Sequence, residues 1–447
     1  MKTIRIGAGA GFSGDRIEPA VELVEHGHLD YLVFECLAER TIALAQQAKR
    51  RDPAAGYDLL LEARMRAVLP GCQRQGVRII SNMGAANPIA AARRVIEIAR
   101  DLGLQGLKVA ALTGDDVLDL TLGENPLLLT GAGRVGDIGR DRILSANAYL
   151  GADGIVEALG RGADVVIAGR VADPSLFLGP LIHAFGWRND DWDLLGRGVL
   201  VGHLLECAGQ LSGGYFADPG VKPVPGLARL GFPYAEVSAD GSAVVSKVAG
   251  SGGCIDLRTV KEQLLYELTD PSAYLTPDVT ADFSAVRLEQ VGPDAVGLSG
   301  AGGRAAPDQL KVSVGYLDGY VGEGQIAYAG VQATERGRLA LEIVRERLAL
   351  TGMAIEELRS ELIGIDAIFR GVDADAPPAS REVRARVAGR CATLKAAQAI
   401  GAEVEALYTN GPAGGGGVTR SASAIVAIAS TLLPRDLIRS RVDMEVA

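Results

Sequence analysis

The chain has 447 residues, which exceeds the size at which a single hydrophobic core usually keeps growing, so two domains are expected. Hydrophobic residues make up 48% and charged residues 22%, a globular balance that excludes disorder as the dominant state. The formal net charge of −10 and the lack of any Lys/Arg run longer than three residues argue against nucleic acid and anionic membrane surfaces as partners.

The five cysteines are scattered and form no C-x-x-C pair, which is typical of reduced thiols in a cytoplasmic protein. The N-terminal M-K-T-I-R-I-G leads straight into a strand-like run without an apolar signal region. No uncharged stretch approaches the roughly 18 apolar residues that a membrane helix needs. We therefore expect a cytoplasmic location and no membrane partner.

The first half of the chain alternates short apolar runs with longer amphipathic runs. The short runs predict strands at Ile4–Ala8, Leu29–Phe34, Val77–Ile80, Leu107–Leu112 and Ala163–Ala168. Helical periodicity lies between them, at Ile17–Val24, Thr41–Arg50, Asp58–Leu69, Pro88–Leu102 and Asp153–Leu159. This alternation predicts an α/β fold with βα units around a mainly parallel sheet, doubly wound and Rossmann-like.

The pattern changes after about Lys222, where Pro223, Pro225 and Pro233 punctuate a turn-rich stretch that we interpret as a domain junction. Strand-like runs follow at Ala243–Val248, Ala285–Leu288, Lys311–Gly315 and Gln325–Val331, and helical patterns at Glu335–Leu350 and Val387–Ile400. We predict an α/β domain over residues 1–225 and an α+β domain over residues 226–447, with a Gly-rich loop at 411–417.

Small, polar or charged residues fill the loops that follow the predicted strands. Right-handed crossovers place such loops on one side of a parallel sheet, and ligands bind at that side. We therefore expect one site to gather the loops Gly7–Asp15, Glu35–Thr41, Ser81–Pro88, Thr113–Asp116 and Gly169–Ser175.

Several carboxylates in these loops are candidates for acid–base chemistry. We expect Glu35, Asp115, Asp116 and Asp173 to converge with Arg170. Converging carboxylates raise one another's pKa and separate into an acid and a base, and their oxygens also suit Mg²⁺. The alternative is that Asp116 and Asp173 cap helices and that Arg170 pairs with one of them.

Gly9–Gly14 reads G-x-G-x-x-G after a strand, and Glu35 ends the next strand, which is the pattern of a dinucleotide-binding loop. However, Pro19 and a capping box that begins at Asp15 move the helix start away from where a pyrophosphate would bind. We favour a loop that binds a small anion or substrate through Ser13, Asp15 and backbone amides.

Each of two pairs of polar residues allows both a structural and a functional interpretation. Asn82 ends the third strand and is a candidate substrate ligand, whereas Asn87 precedes Pro88 and is expected to be a helix N-cap. His203 and Glu206, spaced i and i+3, share a helix face. No second histidine is close in sequence, so we interpret this pair as structural.

A glycine cluster is the main feature of the C-terminal half. It joins a predicted strand at Val404–Tyr408 to a predicted apolar helix at Ala422–Leu433. Four consecutive glycines, a helix N-terminus and a nearby cation predict an anion site, and the alternative is a flexible connector with Ser421 as N-cap. The candidate ligands are Gly414, Gly415, Gly416 and Arg420.

Longer runs carry a resemblance to a known family. These runs are I-R-I-G-A-G-A-G-F-S-G-D-R-I-E-P-A, L-D-Y-L-V-F-E-C-L-A-E-R-T, A-G-R-V-A-D-P-S, G-H-L-L-E-C-A-G-Q-L-S-G-G-Y-F-A-D-P-G, L-L-Y-E-L-T-D-P and N-G-P-A-G-G-G-G. They resemble the acyclic terpene utilisation (AtuA) family over essentially the whole chain. The resemblance implies an association with the degradation of citronellol and geraniol through acyl-CoA intermediates, and a small separate partner protein. It argues against a nicotinamide-dependent dehydrogenase.

We therefore predict an enzyme of organic acid or acyl-CoA catabolism, a lyase or hydratase, in which Glu35 and either Asp115 or Asp173 act as base and acid. Arg170 and the segment Gly414–Arg420 are expected to hold a carboxylate, thioester or phosphate, with CoA as part of the substrate. The alternatives are a non-catalytic scaffold subunit that works with a small partner, and a nucleotide-dependent oxidoreductase or ligase. A homo-oligomer is expected for an enzyme of this size.

Overall fold

The computed structural model describes residues 2–131, 133–368 and 381–447, and the chain divides into two compact units. The first unit comprises Met1–Gly315 and Ile428–Ala447, and the second comprises Tyr316–Ala427. The boundary predicted near residue 225 lies inside the first unit, to which the C-terminal segment also belongs.

Within the part of the chain that the structure describes, the strands fall into three sheets. In chain order they are β1 (Thr3–Ala10), β2 (Tyr31–Phe34), β3 (Arg78–Ser81), β4 (Lys108–Thr113), β5 (Ile143–Ala148), β6 (Val165–Ala168), β7 (Pro233–Ser238), β8 (Ala243–Lys247), β9 (Tyr274–Leu275), β10 (Thr280–Asp282), β11 (Arg287–Gly292), β12 (Ala295–Ser299), β13 (Gly302–Arg304), β14 (Gln309–Ala329), β15 (Glu357–Ile363), β16 (Glu382–Cys391), β17 (Gly416–Pro434) and β18 (Arg441–Val446).

The helices connect these strands. They are α1 (Glu18–His26), α2 (Glu39–Arg51), α3 (Leu61–Gln75), α4 (Pro88–Asp101), α5 (Leu118–Glu124), α6 (Asp153–Gly160), α7 (Asp173–Phe185), α8 (Trp192–Leu205), α9 (Leu257–Leu265), α10 (Ala333–Leu350), α11 (Leu394–Glu405) and α12 (Leu407–Asn410). Asn87 caps α4 as predicted, since its side chain accepts a hydrogen bond from the Ala90 N–H at 3.4 Å. Within the described ranges, no helix has the length and apolarity to cross a membrane.

The largest sheet has ten strands in the order β11-β12-β8-β7-β1-β2-β3-β6-β4-β18. Its central neighbours β1, β2, β3, β6 and β4 run parallel, and the flanking pairs run antiparallel. The parallel strands are apolar and buried along their length, as Y-L-V-F in β2 shows, because parallel strands are covered on both faces. The predicted α/β class with a large parallel sheet is confirmed. The Rossmann-like detail is not, since β1 has parallel β2 on one side and antiparallel β7 on the other.

In the second unit, an antiparallel sheet packs against helices. The strand order is β15-β16-β14-β17, β5 also pairs with β14, and β14 and β17 contribute residues to both units. Apolar residues of β14, β15 and β16 form a core with α10 and α11 that includes Ile326, Val344, Leu362, Val387 and Ile400. The small sheet of the first unit has the order β13-β10-β9.

Three predictions for the C-terminal half are wrong. The helix predicted at Val387–Ile400 begins only at Leu394, because the residues before it pair with β14 and β15 as β16. The strand predicted at Val404–Tyr408 is helical. The helix predicted at Ala422–Leu433 is part of β17, in which β-branched residues such as Ile425 and Val426 suit the sheet.

Close packing around α8 yields a first prediction. A methyl group at Gly196 would overlap the carbonyl oxygen of Gly302, whereas one at Gly123 in α5 would meet nothing within 4 Å. We expect Gly196→Ala to lower the free energy of unfolding by about 1–3 kcal/mol, although alanine favours helices. Gly123→Ala, the matched control, should be neutral or stabilising by up to about 1 kcal/mol. Urea unfolding measures both, and equal effects of the two variants would contradict the packing argument.

Candidate functional site

The carboxyl ends of the parallel strands lie side by side in the first unit, because β1, β2, β3, β6 and β4 are consecutive neighbours. We call this row of strand ends the strand-end edge, or simply the edge. The segments that follow these ends contain most of the residues that the sequence nominated. Contacts among the described residues show which of them meet.

Glu35 and Asn82 form the centre of this edge. Both are buried, and they follow β2 and β3. The Asn82 amide donates to Glu35 Oε1 at 3.0 Å, and its own oxygen accepts the Cys36 N–H at 2.7 Å. The Leu37 N–H also donates to Glu35 Oε1, at 2.8 Å. Among the described residues, Oε2 receives no hydrogen bond, so one oxygen of Glu35 is fixed and the other has no protein donor.

The environment of Glu35 favours its protonated form. Burial raises the pKa of Glu35 to about 8, the negative charge of Asp173 adds to the effect, and Arg170 opposes it. Oε1 already accepts two hydrogen bonds, so a proton on this carboxyl belongs on Oε2. At neutral pH Glu35 can therefore donate a proton from the oxygen that faces no protein donor.

Arg170 connects the loops that follow β2 and β6. It is 1% exposed, and its guanidinium donates to the carbonyl oxygens of Leu37 and Val171 and to the Asp173 carboxylate. Its Cζ atom lies 4.6 Å from the centroid of the Tyr149 ring. Most of its N–H groups are thus engaged by the protein. Arg170 is placed to position the loops after β2 and β6, rather than to hold a substrate carboxylate as the sequence suggested.

Asp173 contacts Arg170 on one side and is partly exposed to solvent on the other. It is the first residue of α7, where a carboxylate suits the helix dipole, and its side chain is 36% exposed. Partial burial raises the pKa of Asp173, and the adjacent Arg170 counteracts the rise. Of the predicted catalytic carboxylates, Asp173 is the most accessible to a ligand.

Next to Asp173, three side chains form a polar group that the sequence analysis missed. The Tyr149 hydroxyl donates to Glu39 Oε1 at 2.5 Å, and Lys311 Nζ lies 3.1 Å from the same oxygen. Burial acts to raise the pKa of Glu39, but the hydrogen bonds from Tyr149 and Lys311 dominate and lower it to about 2. Glu39 therefore stays charged and orients Tyr149 and Lys311.

Asp115 has a supporting role. Its Oδ2 accepts the Arg170 N–H at 3.0 Å and the Asn147 amide at 2.9 Å, and burial raises its pKa to about 6. A methyl group at Gly169 would lie 2.5 Å from Asp115 Oδ1, so this glycine permits the close approach. Asp115 thus anchors the loop after β6, and Asp116 is engaged separately by the Gln46 amide at 3.0 Å.

The loop after β1 is held by a buried arginine. Asp15 Oδ2 accepts the Gly11 N–H at 3.0 Å, and Arg64 Nη2 donates to the carbonyl oxygens of Phe12, Ser13 and Asp15 at 3.0–3.3 Å. Asp15 thus shapes this loop from within. Ser13 stays close to the strand-end edge through its carbonyl.

Arg64 also reaches the loop after β2. Its Nη1 lies 3.3 Å from Asp58 Oδ1 and 3.2 Å from Cys36 Sγ, so one side chain links three segments. The sequence carried a signal for this role: Leu61, Met65 and Val68 mark the buried stripe of α3, and Arg64 shares that stripe. A charged residue on an apolar stripe predicts a buried pair.

The G-x-G-x-x-G spacing is explained by packing. A methyl group at Gly9 would lie 2.7 Å from the Phe34 ring, and one at Gly11 would lie 2.5 Å from the Cys207 carbonyl carbon. The capping box predicted to begin at Asp15 is not formed, because α1 starts after Ile17 without a side-chain cap. These glycines serve contacts within the chain, which weakens the nucleotide interpretation.

Two clefts open beside the edge. The apolar cleft, of about 710 Å³, is lined by Ser13, Gly14, Cys36, Leu37, Thr41, Leu44, Ala45, Ala48, Asp52, Ala54, Ala55, Gly56, Tyr57, Asp58, Leu59, Leu60, Asn82 and Ala85. The lysine cleft, of about 780 Å³, is lined by Leu129, Tyr149, Ala172, Asp173, Pro174, Tyr274, Leu275, Thr276, Pro277, Pro307, Asp308, Gln309, Leu310, Lys311 and Leu432. Arg170 contacts Leu37 of the first cleft and Asp173 of the second.

The predicted glycine-cluster ligands belong to the second unit, and they are not among the residues given above as lining the two clefts. Gly416 begins β17, so no helix N-terminus follows the cluster, and this part of the anion-site argument is wrong. Gly414 has a φ of 74°, and Arg420 Nη1 lies 3.2 Å from Glu405 Oε2. The cluster forms the turn that leads into β17.

We derive no catalytic step that involves a metal ion from the geometry of this site. Among the described residues, no group of three or more His, Cys, Asp or Glu side chains has an arrangement suited to a metal ion. Glu35, Asp115 and Asp173 each make the separate contacts given above. We therefore assign no role to Mg²⁺.

Comparison with known proteins gives a match at the level of the family. The family model described as "Acyclic terpene utilisation family protein AtuA" matches residues 4–444. No curated protein and no solved structure matches the chain.

Proposed function

The chain belongs to the acyclic terpene utilisation family AtuA, and from this premise we propose that it is an enzyme of organic acid or acyl-CoA catabolism that uses carboxylate acid–base chemistry. The family name points to involvement in terpene utilisation. The reaction class that the geometry supports best is a lyase or hydratase, in which water adds to, or leaves, a double bond conjugated to a carboxyl or thioester carbonyl.

The observation that carries this proposal is the state of Glu35. A buried carboxyl whose pKa is near 8, with one oxygen fixed and the other without a protein donor, is suited to act as a general acid at neutral pH. Asp173, exposed to the lysine cleft, is the carboxylate best placed to act as the base. Asn82 orients Glu35, and Arg170 with Asp115 positions the loops around both.

The two clefts suggest how a substrate would lie. The apolar cleft suits a hydrocarbon chain, and Asn82 and Ser13 are its polar residues nearest the strand ends. Lys311 in the lysine cleft offers a positive charge to a carboxylate or to the phosphates of a CoA thioester. A small partner protein, a homo-oligomer and the glycine cluster as an anion site remain predictions.

Turnover of defined probes tests the proposal. We would incubate the protein in H₂¹⁸O and D₂O with crotonyl-CoA, a 3-methyl-branched enoyl-CoA and a free branched 2-enoic acid, and follow water addition by mass spectrometry. We expect turnover of at least one probe and a fall of about 10²–10⁴-fold in Glu35→Gln, because the acid is lost while the amide keeps its shape.

Glu97→Gln is the control for this experiment, since Glu97 is exposed on α4 and pairs only with Arg94 among the described residues. It should retain wild-type turnover. Full activity of Glu35→Gln would contradict the assignment of Glu35 as the acid. A protein that neither turns over nor binds any probe would instead support the scaffold alternative.

A further inference from the structure

One face of α2 lines the apolar cleft along much of the helix. Thr41, Leu44, Ala45 and Ala48 recur at positions i, i+3, i+4 and i+7, which places them on the same side of the helix. Asp52, which also lines the cleft, follows where the helix ends. The rise from Thr41 to Ala48 is about 10 Å along the helix axis. This face is therefore long enough for an extended acyl chain to lie against it.

The position of a residue on this face indicates its distance from the strand-end edge. α2 begins soon after β2, and Ala45 packs against an apolar cluster formed by Leu37, Ile42 and Ala85. This cluster joins the loops that follow β2 and β3. Ala48 lies three residues further along the helix, away from β2. The cleft therefore has an inner end at the strand-end edge and an outer end where α2 ends.

The segment between α2 and α3 forms the opposite wall of the cleft, and hydrogen bonds fix it to the loop after β3. The Asp58 N–H donates to the Met83 carbonyl oxygen at 2.9 Å. The Asn87 amide donates to the carbonyl oxygens of Pro53 and Ala55 at 2.9 and 2.8 Å, in addition to capping α4. The wall is thus held by the fold, and a ligand does not have to order it on binding.

The charges around the cleft favour an uncharged ligand. Asp52 and Asp58 line it, whereas no lysine or arginine is among the described residues that do so. Two buried arginines beside the cleft, Arg64 and Arg170, donate to carboxylates and carbonyl oxygens of the protein. Phosphates and free carboxylates are therefore disfavoured in the cleft, and an acyl chain that ends in a neutral thioester fits it.

We propose that the apolar cleft binds the acyl chain of a thioester substrate, and that Ala45 and Ala48 set the chain length that the protein accepts. This inference rests on the proposed function and names the form of its substrate. The thioester lies at the inner end, near Asn82 and Ser13, and the chain extends along α2 past Ala45 and then past Ala48. Any larger side chain at either position takes space from the chain. Ala45 and Ala48 are thus specificity-determining residues.

Binding of saturated thioesters tests the inference without turnover, because a saturated chain has no double bond to which water can add. Calorimetry would compare butyryl-N-acetylcysteamine and octanoyl-N-acetylcysteamine, which carry no phosphate, with octanoate. We expect wild type to bind the octanoyl thioester about tenfold or more tightly than the butyryl thioester, since the longer chain buries more apolar surface. Octanoate should bind about tenfold or more weakly than the octanoyl thioester, because its carboxylate enters a cleft without a free cation.

Three leucine substitutions on α2 locate the chain. Ala48→Leu should weaken binding of the octanoyl thioester about tenfold or more and leave that of the butyryl thioester within about twofold. Ala45→Leu, nearer the strand-end edge, should weaken binding of both. Gln47→Leu is the matched control, because Gln47 is on α2 but is not among the residues that line the cleft, and it should change neither. Retained butyryl binding also shows that Ala48→Leu is folded.

The outcomes separate this inference from the proposed function. The inference would be overturned by an Ala48→Leu protein that binds the octanoyl thioester as wild type does, or that loses the butyryl thioester as well. A wild type that binds both thioesters equally, or neither, would also overturn it, and equal binding of octanoate would overturn the choice of a neutral thioester. Binding that follows chain length, without turnover of any unsaturated probe, would contradict the proposed function alone.

Discussion

Glu35→Gln is expected to stabilise the protein above neutral pH while it removes the proposed activity. The glutamine keeps the oxygen that accepts from Asn82 and Leu37, so the fold around it should persist. It removes a buried group that must ionise when the pH rises. An active-site substitution that raises stability and lowers activity would mark a residue retained for its chemistry.

The sign of this effect follows from proton binding. The pKa of Glu35 rises from 4.5 to about 8 on folding, so between these values the folded state binds more protons than the unfolded state. The contribution of Glu35 to stability is therefore greatest below about pH 4.5 and falls as the pH rises towards 8. Relative to wild type, the variant should gain roughly 2–5 kcal/mol between pH 5 and pH 8.5.

Urea unfolding followed by tryptophan fluorescence measures this gain. Both tryptophans, Trp187 and Trp192, belong to the first unit, so the signal reports the unit that contains Glu35. Glu97→Gln is again the control, because its side chain is 57% exposed, and its unfolding curves should follow those of wild type at each pH. A Glu35→Gln protein whose stability relative to wild type does not change with pH would show that Glu35 titrates normally.

Arg64→Met is expected to have the second large effect, a loss of about 3–5 kcal/mol of unfolding free energy. The substitution leaves the Asp58 carboxylate buried without its cation. It also removes the donor to the carbonyl oxygens of the loop after β1. We further expect weaker binding of any ligand that occupies the apolar cleft, since Asp58 and Ser13 line it.

The same helix supplies a matched control. Arg66 pairs with Glu62 and Asp101, but these partners are exposed to solvent. Arg66→Met should lower the unfolding free energy by no more than about 1 kcal/mol. Equal losses from the two variants, measured by the same fluorescence experiment, would contradict the role assigned to Arg64 as the link between the strand-end loops.

The parallel strands were predictable from the sequence because their signals are local. Runs such as Y-L-V-F and V-V-I-A are apolar throughout, and polar loops follow them. The geometry of the parallel sheet then brings Glu35, Asn82, Arg170 and Asp173 to one edge, as the sequence analysis expected. Whether these residues are catalytic remains a prediction.

The C-terminal elements were less predictable, because pairing partners decide them. The A-I-V-A-I-A run in β17 suits a helix or a strand, and the choice depends on the distant β14. The roles of individual site residues were hidden for a similar reason. The sequence alone does not reveal that Arg170 is occupied by carbonyl groups, or that Lys311 reaches Tyr149 and Glu39.

The protonation state of Glu35 decides whether this residue can act as the general acid. We would record infrared spectra of wild type and Glu35→Gln between pH 5 and pH 10 and take the difference in the carboxylic acid C=O region. We expect a protonated carboxyl band at pH 7 that belongs to Glu35 and disappears as the pH passes about 8. A difference spectrum that shows only an ionised Glu35 carboxylate at pH 7 would contradict the role of Glu35 as the general acid.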